Sequence, residues 1–266
     1  MEETSNRPDF PIHHLVVFEK PDVTLDDLAP FQTETPLQKG KLREWCESLA
    51  GTIVFVLVFT SFVAQATQVP TESMKPTILV GDHFFLDKIA FPGNFPRALR
   101  PYLPHRTIRR GDIIAFKSPV DPNIPFVKRV IGVPGDTIEI RRKNLYVNGQ
   151  KQDEPYKIHV DSSVYGNDSW TPQEWAIRDN YGPKVVPHDK LFVMGDNRDN
   201  SQDSRYWGFA DLDSIIGKPL FVYWSYESDP YVPGERSFRE WVLGYVSVGM
   251  HFFDRTRWFR IGTMVE

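Results

Sequence analysis

From Ser48 to Thr71 the chain carries no ionisable side chain, and Gly51–Ala64 is dominated by Ile, Val, Phe and Leu. A helix needs roughly 20 such residues to cross a hydrocarbon core of about 30 Å. A soluble helix would keep a polar face, and this stretch has almost none. The run predicts a single transmembrane helix over residues 45–67. Lys39, Lys41 and Arg43 precede it, and this cationic bias predicts a cytoplasmic N-terminus with the C-terminal body outside. Residues 1–38 are acidic, polar and without sustained period, so they read as a flexible tail with a short local element near 12–18. Ala64-Gln65-Ala66 matches the small-x-small rule of a signal-peptide cleavage site. However, more than 40 residues precede the apolar run, where a signal peptide has a short n-region. A retained anchor is therefore expected; cleavage would leave a chain beginning at Thr67.

Beyond the anchor, 22 prolines and 17 glycines punctuate the chain into short elements, so the body reads as β-rich. Strands are expected at 83–89, 113–117, 126–133, 137–142, 190–194 and 218–225, with Asn148-Gly149 as a hairpin turn. Residues 143–188 change character: they are polar, aromatic and weakly periodic. They read as an inserted, β-rich subdomain whose aromatics call for burial. It separates two parts of a core, 68–142 and 189–266. Trp241–Met250 is too short to span a membrane and predicts a packed helix, followed by a final strand. The net charge of −4 argues against nucleic-acid binding, and the lone Cys46 allows no intrachain disulfide.

Which residues could do chemistry? The seven histidines are scattered, with no metal-binding helix motif and no cysteine pair. A calcium loop at 199–210 fails, because Ser204 and Ala210 occupy the positions that need Gly and Glu. Phosphate loops and a G-x-S-x-G elbow are absent. Ser73 lies between Pro70 and Pro76, on chain that cannot be regular helix, just beyond the anchor. A nucleophile and an ordinary polar residue both fit that much. A serine needs a base, and a neutral lysine can serve. Lys128 sits in an apolar strand, where burial would lower its pKa and the neighbouring cation Arg129 would help. A strand lysine pointing to water fits the same pattern.

Four motifs then occur in order: Pro70-Thr-Glu-Ser-Met-Lys-Pro-Thr77; Arg110-Gly-Asp-Ile113; Phe126-Val-Lys-Arg-Val130 with Gly132-Val-Pro-Gly-Asp136; and Gly195-Asp-Asn-Arg-Asp-Asn-Ser-Gln-Asp-Ser-Arg205. Together with the apolar run they resemble bacterial type I signal peptidase. The resemblance covers much of 45–225, but neither the N-terminal tail nor the 150–188 excursion. It implies an all-β catalytic body of the signal-peptidase and LexA-like kind behind one N-terminal transmembrane helix. It implies a serine endopeptidase that removes signal peptides from exported preproteins, with no cofactor and no metal. Ser73 matches the nucleophile and Lys128 the general base. Thr71 and the Ser73 N–H match the oxyanion hole, Thr71 replacing a serine found in many members. Ser201 matches a serine that orients the lysine, and Asp203 and Arg205 a supporting ion pair. Val69, Pro70, Met74, Ile78, Phe126 and Val127 would wall pockets for small side chains at the first and third positions before the cut. The expected setting is the bacterial cytoplasmic membrane, in contact with lipid and near the secretion translocon. Two rivals differ in kind. A LexA-type self-cleaving regulator would carry a DNA-binding helix-turn-helix and no anchor. A non-catalytic anchored binding protein would be expected to have lost Ser73 or Lys128.

Overall fold

The computed structural model describes residues 40–91, 95, 98–102, 106–121, 124–166, 170–227 and 238–266. The expected element at 12–18 lies outside them. The chain divides into two units, Met1–Gly51 and Thr52–Glu266. In the first, the described residues form the start of helix α1 (Lys41–Phe62). Every residue of α1 is exposed, including Ile53, Val54, Phe55, Val56, Leu57 and Val58. Among the described residues it is the one helix long and apolar enough to cross a membrane. An apolar helix exposed along its whole length is what lipid, not a protein core, would cover.

The helix stops earlier than the expected residue 67. Val63 N–H still donates to Phe59 O, but the Val63 carbonyl accepts from Lys88 N–H. From there the backbone is taken up by a sheet: β1 (Ala64–Gln68) pairs antiparallel with β2 (Asp82–Asp87), Ala64 opposite Asp87 and Gln68 opposite His83. Tertiary pairing, which the apolar run does not reveal, ends the helix.

The remaining strands are β3 (Ile113–Lys117), β4 (Pro125–Gly132), β5 (Thr137–Arg141), β6 (Asn144–Val147), β7 (Gln150–Lys151), β8 (Tyr181–Val185), β9 (Lys190–Met194), β10 (Ala210–Asp211) and β11 (Ile215–Ser225). Seven form one sheet in the order β1-β2-β11-β3-β4-β9-β10, and four form a second in the order β7-β6-β5-β8. Neighbouring strands pair antiparallel in both. The body is thus mostly β, as the sequence predicts. The small sheet begins at β5, ahead of the expected boundary at 143, because β5 pairs with β6 and β8. Asn148 and Gly149 both take positive φ, 53° and 77°, and turn β6 into β7.

Strand β3 shows why the large sheet reads as a continuous apolar run. Ile113 and Ala115 enter one core cluster with Val69, Met74, Ile78 and Phe84, while Ile114 and Phe116 enter another with Val130, Leu191 and Val193. Side chains alternate across a strand, so both faces of β3 are buried. Pro219 lies inside β11 and cannot donate to the ladder; the register with β2 shifts just beyond it, between Pro219 and Val222. The expected burial of the 150–188 aromatics is only partly met. Tyr181 is buried, whereas Trp170 and Trp175 are exposed, the latter resting on Tyr165 with ring centroids 4.8 Å apart.

Near the C-terminus the expected helix spans Phe238–Met250, but no final strand follows among the described residues. Phe252–Arg255 is a further helical turn, Trp258–Arg260 is a 3-10 turn, and Met264 makes only an isolated bridge to Phe221. Arg260 ties this segment to the core by a half-buried ion pair with the buried Asp82 and by donating to Thr77 O at 3.0 Å.

Candidate active site

Beyond β1 the chain turns through residues 69–81 before entering β2. Two fully buried side chains pin this loop, Met74 and Ile78, and Ile78 N–H donates to Met74 O at 2.9 Å. Ser73 is carried between them, 8% exposed. Its Oγ accepts a 2.6 Å hydrogen bond from Lys128 Nζ, and Thr71 Oγ1 lies 3.4 Å away. Lys128 comes from β4 and is 4% exposed, with the Phe126 ring 5.4 Å from its Nζ. The two groups that sequence reasoning joined across fifty-five positions are in direct contact.

The amine is tuned by its surroundings. Burial is the largest influence and brings Lys128 down to about 8; Asp203 pulls it up, Arg205 pushes it down, and Asp196 pulls it up. The assisting cation is therefore Arg205, not the expected Arg129. Successive strand residues point to opposite faces, and Arg129 leaves the dyad for Asp196, which it grips with Nε at 2.9 Å and Nη2 at 2.8 Å. Its guanidinium also stacks 3.9 Å over Tyr156 and donates to Gly111 O. Asp203 lies below its ordinary value: burial would raise it, but the adjacent Arg205, with smaller help from Lys128 and Ser201, outweighs that. The Asp203–Arg205 pair is buried, with Nη2 to Oδ2 at 2.8 Å.

Residues 195–205 hold the serine loop from behind. Asn197 N–H donates to Ser73 O at 3.1 Å, Asn197 Nδ2 to Glu72 O at 3.3 Å, and Thr77 Oγ1 to Asp196 Oδ2 at 2.6 Å. Arg205 Nη2 donates to Arg198 O at 2.6 Å and Nη1 to Arg178 O at 3.0 Å. A second buried pair, Glu154 with Arg198, braces the segment, and Arg198 Nε donates to Gly195 O at 3.1 Å. Ile158 completes the brace, its N–H bonding to Asp196 O and its carbonyl accepting from Arg198 N–H. Ser201 is buried beside Gly195, but its Oγ has no hydrogen-bond partner of normal geometry. Ser201 Oγ makes no hydrogen bond to Lys128.

A cleft of about 510 Å³ opens at the dyad. Of the six expected pocket residues, Val69, Pro70, Met74, Phe126 and Val127 line it. Ile78 does not: it lies wholly inside the core cluster that contains Met74. Leu86, Ala115 and Ile124 line it unexpectedly, joined by the polar Glu72, Asn200 and Gln202. Among the described residues, no histidine lines it. Leu86 and Ala115 belong to strands that a linear reading places in the sheet without telling which face reaches the cleft. The roles of Asp196, Asn197 and Arg198 were missed for a similar reason. Their motif was visible in the sequence, but their partners are distant in it.

Known proteins resemble this chain over most of its length. A family model described as signal peptidase, peptidase S26, matches residues 42–224. Signal peptidase IB of Staphylococcus aureus (strain MRSA252) is 34% identical over 197 residues, covering 73% of this chain and 95% of that protein. Signal peptidase I of Leptolyngbya laminosa is 33% identical over 197 residues, covering 71% and 83%. Signal peptidase I of Pseudomonas aeruginosa is 34% identical over 212 residues, covering 71% and 74%.

The close approach at Gly195 can be tested. A Cβ there would meet Ser201 Oγ at 2.3 Å and the Ser73 carbonyl oxygen at 2.4 Å, so the serine loop would have to move. A displacement near 1 Å can cost about 10²-fold in reactivity. Gly195→Ala is expected to slow acylation of Ser73 by a serine-directed reagent by about that factor, with the fold retained by circular dichroism. Acylation at the unaltered rate would show that the contact does not position Ser73.

Proposed function

The chain belongs to the signal peptidase family, peptidase S26, and we propose that Ser73 and Lys128 are the nucleophile and general base with which it works. It is a membrane-anchored serine endopeptidase that removes signal peptides from preproteins. The observation that carries the residue assignment is the 2.6 Å contact between two buried groups, Lys128 Nζ and Ser73 Oγ. A non-catalytic reading gives no reason to hold a desolvated amine against a serine.

With its pKa near 8, roughly one Lys128 in ten is neutral at pH 7. The neutral amine takes the Ser73 proton as Oγ attacks the scissile carbonyl. The Ser73 N–H and the Thr71 hydroxyl donate to the oxyanion. Protonated Lys128 then gives its proton to the leaving amine, and the same amine activates the water that opens the acyl-enzyme. Asp203 and Arg205 act on the amine through their charges. Ser201 acts by packing against Gly195. The apolar cleft takes small side chains at the first and third positions before the cut, and the substrate lies extended along strand edges, pairing main chain to main chain.

The same reading places α1 in the bacterial cytoplasmic membrane, touching lipid and near the secretion translocon. The cationic residues before it keep the N-terminus in the cytoplasm. A domain plan of an acidic tail at 1–38 and a catalytic core in two parts, with the small sheet inserted between them, accompanies this placement.

Three outcomes test these proposals. Ser73→Ala and Lys128→Ala should each lower preprotein cleavage by about 10³-fold or more with the fold intact; near-normal turnover in either would exclude that residue. The neutral amine is the active form, so the rate should rise about tenfold per pH unit below about 8 and level off above it. A profile flat down to about pH 5 would remove lysine as the base. Protease added outside sealed spheroplasts should digest the body and spare the N-terminal tail; the opposite pattern would reverse the orientation.

A further inference from the structure

The cleft at the dyad has two unlike sides. Its apolar lining comes from the sheet and the serine loop: Leu86 on β2, Ala115 on β3 and Val127 on β4, with Val69 and Met74. A polar side comes from a different part of the chain, the run after β9, which contributes Asn200 and Gln202. Exposure alternates along that run: Asn200 and Gln202 are exposed, whereas Ser201 and Asp203 are buried. Ser201 is turned toward Gly195, where an added Cβ would strike both Ser201 Oγ and the Ser73 carbonyl oxygen. Its two neighbours point the other way and so enter the cleft beside the nucleophile.

Among the described residues, neither of these side-chain carboxamides has a hydrogen-bond partner. Glu72 also lines the cleft, but its carboxylate already accepts from Lys75 Nζ at 2.6 Å. The free groups on the polar side are therefore neutral: two amides, each able to donate and to accept.

An extended peptide sends successive side chains to opposite faces. Those at the first and third positions before the cut enter the apolar pockets. The side chain at the second position then points away from the sheet, toward the segment that carries Asn200 and Gln202. The first residue after the cut shares that face, but it lies beyond the dyad. The strand edges at 67–71 and 124–127 hold the part before the cut.

We infer that Asn200 and Gln202 make the enzyme prefer, at the second position before the cut, a neutral side chain that hydrogen-bonds: a carboxamide or a hydroxyl. The inference rests on the dyad and extended-substrate reading above. A carboxamide at that position can give one hydrogen bond to Gln202 and take one from it. The two amides are exposed, so an apolar side chain in their place leaves them to water and does not bar cleavage. The small residues on either side remain the first requirement, and the second position grades substrates that meet it.

The test uses the full-length chain in detergent and one preprotein carrying Gln, Leu, Arg or Glu at the second position before the cut. Small residues are kept at the first and third. In the unaltered enzyme kcat/KM should be higher for Gln than for Leu by about three- to tenfold, the worth of a neutral hydrogen bond. Asn200→Leu combined with Gln202→Met removes the amides at similar bulk and should bring that ratio to about one. Gln202→Glu should create a preference for Arg over Glu at the same position, which mere loosening of the cleft would not produce. Equal rates for Gln and Leu in the unaltered enzyme, or a ratio that survives the double substitution, would overturn the inference. So would a response confined to the first position after the cut, read from a second preprotein series. If the unaltered enzyme cut none of these preproteins, the dyad reading itself would fall, and this inference with it.

Discussion

A lysine amine in water holds its proton until about pH 10.4, and the site depends on removing that preference without removing the lysine. Enclosure does most of it: Lys128 is 4% exposed, so water no longer stabilises the ammonium. Asp203, buried close by, would restore the charge if it stood alone. Arg205 answers it, and the balance leaves the amine near 8. The ion pair is therefore an electrostatic counterweight as well as a brace. Without Arg205, a carboxylate this near would favour the protonated lysine.

The same region contains three buried ion pairs: Arg129–Asp196, Glu154–Arg198 and Asp203–Arg205. Desolvation makes such pairs poor sources of net stability. Their value here is positional. Each involves at least one residue of 195–205, and each arginine also donates to backbone carbonyls, of Gly111, Gly195, Arg178 or Arg198. The segment that hydrogen-bonds the Ser73 carbonyl is thus fixed from several directions. Glu154 lies between β7 and β8 of the small sheet, so the excursion between those strands helps to hold the serine loop without lining the cleft.

The anchor and the cleft are joined by very little chain. α1 ends at Phe62, β1 occupies 64–68, and residues 67–74 already line the cleft.

The extent of the apolar run and the turn residues after it were enough to establish an anchor and a β-rich body, because local periodicity and lipid thickness act on contiguous residues. Several strands were legible nearly to the residue, β3 and β9 among them, since their apolar runs are bounded by turns. Ser73, Lys128 and the Gly195–Arg205 run were legible as motifs. What each does to its neighbours was not. That Arg205 and not Arg129 tunes the amine, that Ser201 makes no hydrogen bond to Lys128, and that Ile78 is core while Leu86 and Ala115 face the cleft all depend on which faces meet. So does the end of α1, set by pairing with β2 at a distance no hydropathy pattern records. The sequence by itself determined the elements and the chemistry available to them. The tertiary structure alone decided burial and partner, and these control the pKa of a buried amine.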